Sequence, residues 1–470
     1  MFDNAYANLI LDVDSYKASH FLQYPPGATH ISSYVESRGG AYDGVLFFGL
    51  QAWLKDALTR PISTADIDEA EEILVAHGEP FNRAGWEAIV ARHGGLLPLR
   101  IEALPEGMIV PTGTPLVQVS NTDPDMLWLV SYIETALLRA VWYPTTVATR
   151  SKAIQGIIKA ALDKTSDDPD GQLPFNLHDF GARGVSSLQS AGIGGLAHLV
   201  NFMGTDTVSA LLAGRRYYNE PMAGFSIPAA EHSTITAWGR DREADAYANM
   251  LTQFGGPGKI VAVVSDSYDL WNAVNAIWGD QLKDMVKTNG ATLVVRPDSG
   301  DPLTVPVDTV DRLAARFGTT TNARGYKVLP PYLRVIQGDG VNERSIKHIL
   351  DRLEKLGYAA DNIAFGMGGQ MLQQLNRDTL RFAMKASAIR LDGRPWVAIA
   401  KAPQTDPSKA SKAGRQAVVE CDAGVAILRE EHLDGARNLL QPVYENGVCA
   451  PFVDFRTVRA RASLGTIHAQ

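Results

Sequence analysis

The chain has 470 residues, 45% of them hydrophobic and 20% charged, with a formal net charge of −8. That length holds two or three domains, or one barrel with additions, and a core of that size needs no covalent staples. The acidic balance argues against a general nucleic-acid role but leaves room for a local basic pocket that takes phosphates, and no run approaches the roughly 18 apolar residues of a membrane helix.

The N-terminal stretch MFDNAYANLILDVDSYK lacks the basic segment and long apolar run of a secretory signal. Cys421 and Cys449 show no metal-ligand spacing, and this sparse usage fits a reducing cytoplasm, although a bridge between them stays open. The ten histidines form no HExxH and no close pair, so no zinc site is expected. Residues 1–150, joined by 381–470, are expected to make a β-rich domain.

Residues 151–380 repeat one grammar: an apolar strand, a polar or glycine-rich turn, then a helix-compatible segment. The clear units are KIVAVV-SDS from Lys259, TLVVR-PDSGD from Thr292, LRVIQ-GDG from Leu333 and NIAF-GMGG from Asn362. Continuous apolar runs predict strands buried on both faces, hence a parallel α/β sheet or barrel whose chemistry sits in the loops after the strands. Val310, Leu313 and Phe317 give one intervening helix its inward face. Beyond the barrel, Arg381–Ile389 and Pro395–Ala402 are expected strands around an Asp392–Gly393 hairpin turn, and Thr405–Arg415 an exposed loop.

Each loop admits two readings. In HDFGARG, Phe180 is a core aromatic or a flat platform for a ring, with Arg183 beside it for a phosphate. Asp206 in GTDTV caps a helix or faces a ligand. In SIPAAEHSTITAWG (Ser226–Gly239), His232 is a satisfied core histidine or a catalytic group, flanked by Glu231. Asp266 in SDS caps a helix or joins it. RPDSGDP is a salt-bridged capping turn, or places Arg296 on an anion and Asp298 on ribose hydroxyls or a metal shell. Gly338–Asp339–Gly340 and Gly366–Met367–Gly368–Gly369 are plain connectors or phosphate cradles. Arg377, Lys385, Lys401 and Lys409 are solvated charges or an anion clamp.

Together these motifs resemble the nicotinamide phosphoribosyltransferases. The likeness runs from LDVDSYKASHFLQYPP through LHDFGARGVSS, GTDTV, SIPAAEHSTITAWG, VVSDSYD, RPDSG, LRVIQGDG and IAFGMGG to DPSKASKAGR, in one order and along nearly the whole chain. It implies an irregular α/β barrel of the type II phosphoribosyltransferase kind with an additional β-rich domain. It further implies a homodimer with active sites at the interface, and transfer of the phosphoribosyl group of 5-phosphoribosyl-1-pyrophosphate (PRPP) to nicotinamide in NAD salvage. Mg²⁺ is the implied cofactor, and ATP the implied coupling substrate. Phe180 and a partner's Tyr16 would sandwich the nicotinamide, with Asp206 on its amide and Arg296 nearby. Arg183, Asp298, Gly338, Asp339, Gly368, Gly369 and Arg377 would hold ribose and phosphate. Arg38, Arg377, Lys385 and Lys401 would clamp pyrophosphate or ATP. His232 would accept a phosphoryl group, with Asp266 and Asp298 as its catalytic companions. Two departures are a short SRGGAYDGVLFFG after Arg38 and Met367 between the loop glycines.

Overall fold

The computed structural model describes residues 8–406, 409–422 and 424–470. Residues 1–7 of the N-terminal stretch, and Pro407 and Ser408 of the expected Thr405–Arg415 loop, lie outside them. The chain divides into two compact units. The first takes residues up to Thr149, Arg216–Glu220 and Asn376–Gln470; the second takes Arg150–Arg215 and Pro221–Leu375. Arg377 thus falls in the first unit rather than with the barrel. The Arg216–Glu220 excursion belongs there because Tyr218 donates its hydroxyl to Glu106, while the Tyr217 carbonyl accepts from Gln51 and Lys55.

In the first unit, seven antiparallel strands run in the order Val397–Ala398, Phe382–Leu391, Ala28–Ser37, Pro115–Asn121, Leu99–Ala103, Gln441–Glu445, Val448–Cys449. Pro115–Asn121 is buried along its whole length, as a central strand should be. Asp392 (φ 50°) and Gly393 (φ 69°) make the left-handed turn of the expected hairpin. Its ladder is short, with only Ala388↔Ala398 and Ile389↔Val397 paired. Cys421 and Cys449 are both free thiols.

The second unit is built on six parallel strands: β1 (Leu177–Asp179), β2 (Gly204–Thr205), β3 (Ile260–Val264), β4 (Thr292–Arg296), β5 (Leu333–Gln337) and β6 (Ile363–Met367). Their order is β2-β1-β6-β5-β4-β3. The interior of β3 to β6 is buried almost residue by residue, which is why these strands read as unbroken apolar runs. Helices Val305–Phe317 and Glu343–Lys355 cover them with Val307, Val310, Leu313 and with Ile346, Ile349, Leu350, Leu353. Each buried side chain contributes about 2 kcal/mol.

An open six-stranded sheet leaves two edges, β2 and β3, with unpaired amides. The segment Phe225–Ala230 answers both. Phe225 exchanges hydrogen bonds with Met203 and Thr205 beside β2, and Pro228 and Ala230 bond to Ala262 of β3. One extended stretch therefore closes the sheet edge to edge into an irregular barrel. Among the described residues, no helix is long and apolar enough to cross a membrane.

Candidate active site

The C-terminal ends of β1 to β6 carry the loops that the sequence singles out, and three of these loops share a spacing. Asp266, Asp298 and Asp339 follow β3, β4 and β5, and three residues on stand Asp269, Asp301 and Asn342. The second member of each pair satisfies backbone or hydroxyl donors at the following helix. Asp269 accepts from the Trp271 and Asn272 amides, Asp301 from Leu303 and Thr304, and Asn342 from Arg344 and Ser345. The later residue thus takes the donors of the cap or of the turn before the helix, and the carboxylate nearest the strand is released for other work.

Phe180 stands on the β1 loop with its amide bonded to the Met367 carbonyl at 3.0 Å, which ties β1 to β6. Its ring lies over two glycines. A Cβ on Gly366 would come within 1.9 Å of the ring, and one on Gly338 within 3.4 Å of it and 3.6 Å of Asp298 Oδ1. Phe180, Asp298 and the strand ends of β5 and β6 therefore converge. Gly366 and Met367 belong to strand β6, and Gly368 caps the short helix Gly369–Leu372 that follows at once. Met367 itself is buried.

Asp206 is exposed and accepts a short hydrogen bond from the Ser226 hydroxyl. Its amide bonds to the Asp179 carbonyl at 2.9 Å. Ser226 is the second residue of the closing segment, which explains how a residue twenty positions away reaches Asp206.

The other end of that segment delivers His232. Its Nε2 lies 2.9 Å from Asp266 Oδ1, and its Nδ1 lies 3.9 Å from Asp298 Oδ2. The Asp266 side chain is almost fully buried, whereas His232 is 43% exposed, so the ring is held from behind and open in front. Ser265 sets this up: its amide bonds to the Arg296 carbonyl at 2.9 Å, extending the β3–β4 ladder by one rung. Arg296 in turn reaches Asp298 at 3.3 Å, and its buried Nε has no acceptor among the described residues. Glu231 does not touch the histidine. Its amide donates to Thr234 Oγ1, and that hydroxyl returns to the Glu231 carbonyl, closing the turn before the ring.

Gly184, next to the exposed Arg183, packs on Gly369, with a Cβ placed at 3.2 Å from its Cα. The β1 and β6 loops thus form one small-residue cradle with Gly368, whose ideal Cβ is 3.5 Å from the Phe180 carbonyl. Asp339 is exposed at the rim, with its carbonyl accepting from Gln337. At the opposite mouth, Ile260, Thr292, Arg334 and Ile363 line a cavity of about 350 Å³ that reaches Ile227 and Ile336.

Tyr16, Arg38, Arg377, Lys385 and Lys401 belong to the first unit. Tyr16 is 55% exposed, with Lys17 over its ring at 5.2 Å. Arg38 pairs with Glu36 at 3.2 Å, and its amide bonds to Leu380. Burial holds Lys385 below the ordinary lysine range, against Glu134, and Arg38, Lys401 and Lys17 push it the same way as burial. Such a crowd of cations gains from a bound anion. Arg377 is exposed and pairs with its neighbour Asp378. Among the described residues, no three His, Cys, Asp or Glu side chains converge as a metal cage. Asp266 and Asp298 offer two carboxylates, the donor set of an Mg²⁺ that shares its shell with substrate phosphates.

Sequence reasoning gave Ser226, Ser265 and Asp179 no role of their own and took Gly366 only as part of a connector or phosphate cradle. The three-residue Asp-to-Asp/Asn spacing was a visible signal for separating site carboxylates from caps.

The chain also has relatives in sequence and in fold. Residues 175–447 match the model of the nicotinate phosphoribosyltransferase (NAPRTase) family, and residues 8–101 the N-terminal domain model of nicotinamide phosphoribosyltransferase. The chain is 56% identical over 461 residues to a nicotinamide phosphoribosyltransferase of Xanthomonas campestris pv. campestris, covering 97% of this chain and 98% of that one. It is 31% identical to one from Acinetobacter baylyi, over 93% of each. In fold it is similar to nicotinate-nucleotide pyrophosphorylase from Pyrococcus furiosus (TM-score 0.64, 16% identity, 98% and 96% covered). It is also similar to human nicotinic acid phosphoribosyltransferase (TM-score 0.55, 18% identity, 96% and 93% covered).

Proposed function

Because this chain belongs to the nicotinamide phosphoribosyltransferase family, we propose that it transfers the 5-phosphoribosyl group of PRPP to nicotinamide, releasing nicotinamide mononucleotide and pyrophosphate for NAD synthesis. The observation that carries the choice of base is Asp206, whose own amide bonds to the residue just before Phe180 and whose exposed carboxylate accepts from Ser226. An amide donates an N–H to such a group. Nicotinate would oppose it with a second negative charge, at a cost of up to about 4 kcal/mol at contact distance and intermediate dielectric, less where water screens it.

In this reading, Phe180 and a partner subunit's Tyr16 hold the ring in line with the anomeric carbon. The ring nitrogen is already a nucleophile, so its bond to C1 forms as the C1–pyrophosphate bond breaks, and no base is needed. Asp298 is assigned to the ribose hydroxyls and to the developing oxocarbenium charge. Arg183, Gly338, Asp339, Gly368 and Gly369 are assigned to the 5-phosphate and ribose. Arg38, Arg377, Lys385 and Lys401 are assigned to pyrophosphate or ATP. Asp266 and Asp298 would share Mg²⁺ with the substrate phosphates, and the ion supplies charge neutralisation on the leaving group.

The same reading assigns ATP coupling to His232. Asp266 accepts the Nε2 proton, which leaves the Nδ1 lone pair to attack the γ-phosphorus; the Nδ1–P bond forms as the bond to ADP breaks. The enzyme is proposed to work as a cytoplasmic homodimer with an active site at each end of the interface.

The test quantifies mononucleotide and pyrophosphate from nicotinamide or nicotinate with PRPP and Mg²⁺, with and without ATP. Nicotinamide should be preferred at least tenfold in kcat/KM, a gap that Asp206→Asn narrows. Comparable turnover of both bases by the unmodified protein would overturn the assignment. Independently, His232→Ala should abolish stimulation by ATP while leaving PRPP-dependent synthesis measurable; retained stimulation would remove the phosphohistidine.

A further inference from the structure

Beneath the base-binding rim lies a carboxyl group that the proposed reaction does not use. Asp179 ends strand β1 and is 0% exposed. Its Oδ1 accepts the Gly181 amide at 2.7 Å, the residue directly after Phe180. Its Oδ2 accepts from Thr205 Oγ1 at 3.4 Å, and that hydroxyl accepts the Thr207 amide at 3.0 Å, so the pair brackets Asp206. One carboxylate thereby grips the turn that carries the ring platform and the turn that carries the amide acceptor. The fold leaves no slack around it. A Cβ on Gly195 would fall 3.0 Å from Oδ2, and one on Gly181 2.9 Å from Oδ1.

Resting on the nicotinamide reading above, we infer that Asp179 is a positioning residue for the base: its ionised carboxylate sets the spacing between Phe180 and Asp206. The ionised form suits this role because each of its two oxygens accepts from a donor. A neutral carboxyl turns one oxygen into a hydroxyl and breaks that symmetry. Burial raises the Asp179 pKa to about 6, against the Thr207 hydroxyl, the Gly181 amide and Thr205, while the negative charge of Asp206 adds to the rise. Protons therefore bind Asp179 in the range where an enzyme assay can see them.

The titratable groups around it are few. Asp206 faces it from the loop after β2. His178 precedes it on β1, with a pKa lowered by burial against the charge of Asp206. Helix Leu188–Leu199 presents Gly195 and carries no Asp, Glu, Lys or Arg, and its His198 bonds to Ser151. His178 and Asp206 are thus the competing titratable groups near the base.

The sign of the stability effect follows from the raised pKa. The folded protein holds the Asp179 proton more tightly than the unfolded chain, so stability is lost as pH rises from the ordinary carboxyl range through about 6. Asp179→Asn cannot ionise, keeps an acceptor for Gly181, and escapes that cost, so it is expected to fold.

The experiment measures KM for nicotinamide, KM for PRPP and kcat from pH 5 to 8 in the unmodified enzyme, Asp179→Asn and Thr205→Val. In the unmodified enzyme, KM for nicotinamide should rise about tenfold below pH 6 with kcat changing far less. Asp179→Asn should show that weak binding at every pH, with KM for PRPP unmoved. Thr205→Val should raise KM for nicotinamide by a smaller factor and keep the inflection. An inflection that survives Asp179→Asn belongs to another group, His178 or Asp206, and overturns the inference, as does an unchanged KM. If no variant, nor the unmodified enzyme, uses nicotinamide at all, the proposed function itself has failed.

Discussion

Gly366 shows how much a single missing side chain decides. Its Cα hydrogen faces the Phe180 ring so closely that a methyl group would overlap Cε2. Gly366→Ala should therefore displace the ring while leaving the phosphate loops in place. The expected result is a rise in KM for nicotinamide of about tenfold or more, with KM for PRPP nearly unchanged; equal losses in both would mean that strand β6 itself had shifted. This glycine was visible in the sequence as part of GMGG, but its purpose was not. Its neighbour in the argument is an aromatic 186 positions away, and only pairing of β6 with β1 (Phe365↔Leu177, Gly366↔His178) brings them together. The reverse holds for His232 and Asp266. Both stood out as polar residues in turns of small side chains, yet nothing local said that they touch.

Within an element, the spacing of Asp339 and Asn342 separates stability from chemistry. Asn342 caps the thirteen-residue helix Glu343–Lys355 by accepting the amides of Arg344 and Ser345, and Ser345 Oγ in turn accepts the Asn342 backbone amide. Asn342→Ala should cost about 1 kcal/mol of stability, read as a lower midpoint in urea unfolding, with activity retained per folded molecule. Asp339→Ala should do the opposite, leaving the midpoint in place and weakening PRPP binding. Apolar runs made strands β3 to β6 legible within a residue or so, because strands buried on both faces must be apolar throughout. β1 and β2 were harder to see: three and two residues long, they carry polar and small side chains into the site. The closing segment Phe225–Ala230 carried no strand pattern at all, since a proline and two alanines pair only by isolated bridges.

For the whole molecule, the candidate site residues fall into two sets. The second unit gathers Phe180, Asp206, His232, Asp266, Arg296 and Asp298 around strand ends, and the first gathers Arg38, Lys385 and Lys401 with Tyr16. If the partner subunit completes each site with Tyr16, two crippled variants should rescue one another. Mixing Tyr16→Ala with Asp206→Ala after reversible dissociation should restore about one quarter of full activity, since half the dimers are mixed and each has one intact site. Sites complete within one chain would show no gain, and gel filtration at assay concentration checks the dimer directly.

Residue order alone determined the alternation of strand and helix, the parallel character of the sheet and the list of polar loops, because these depend on local periodicity and on burial of each strand. Tertiary structure decided which of those polar groups meet. It closed the barrel with one extended segment that carries Ser226 to Asp206 and His232 to Asp266, and it buried Asp179 under the turns that carry Phe180 and Asp206. Such meetings arise from register between strands far apart in sequence, which no short stretch of residues encodes.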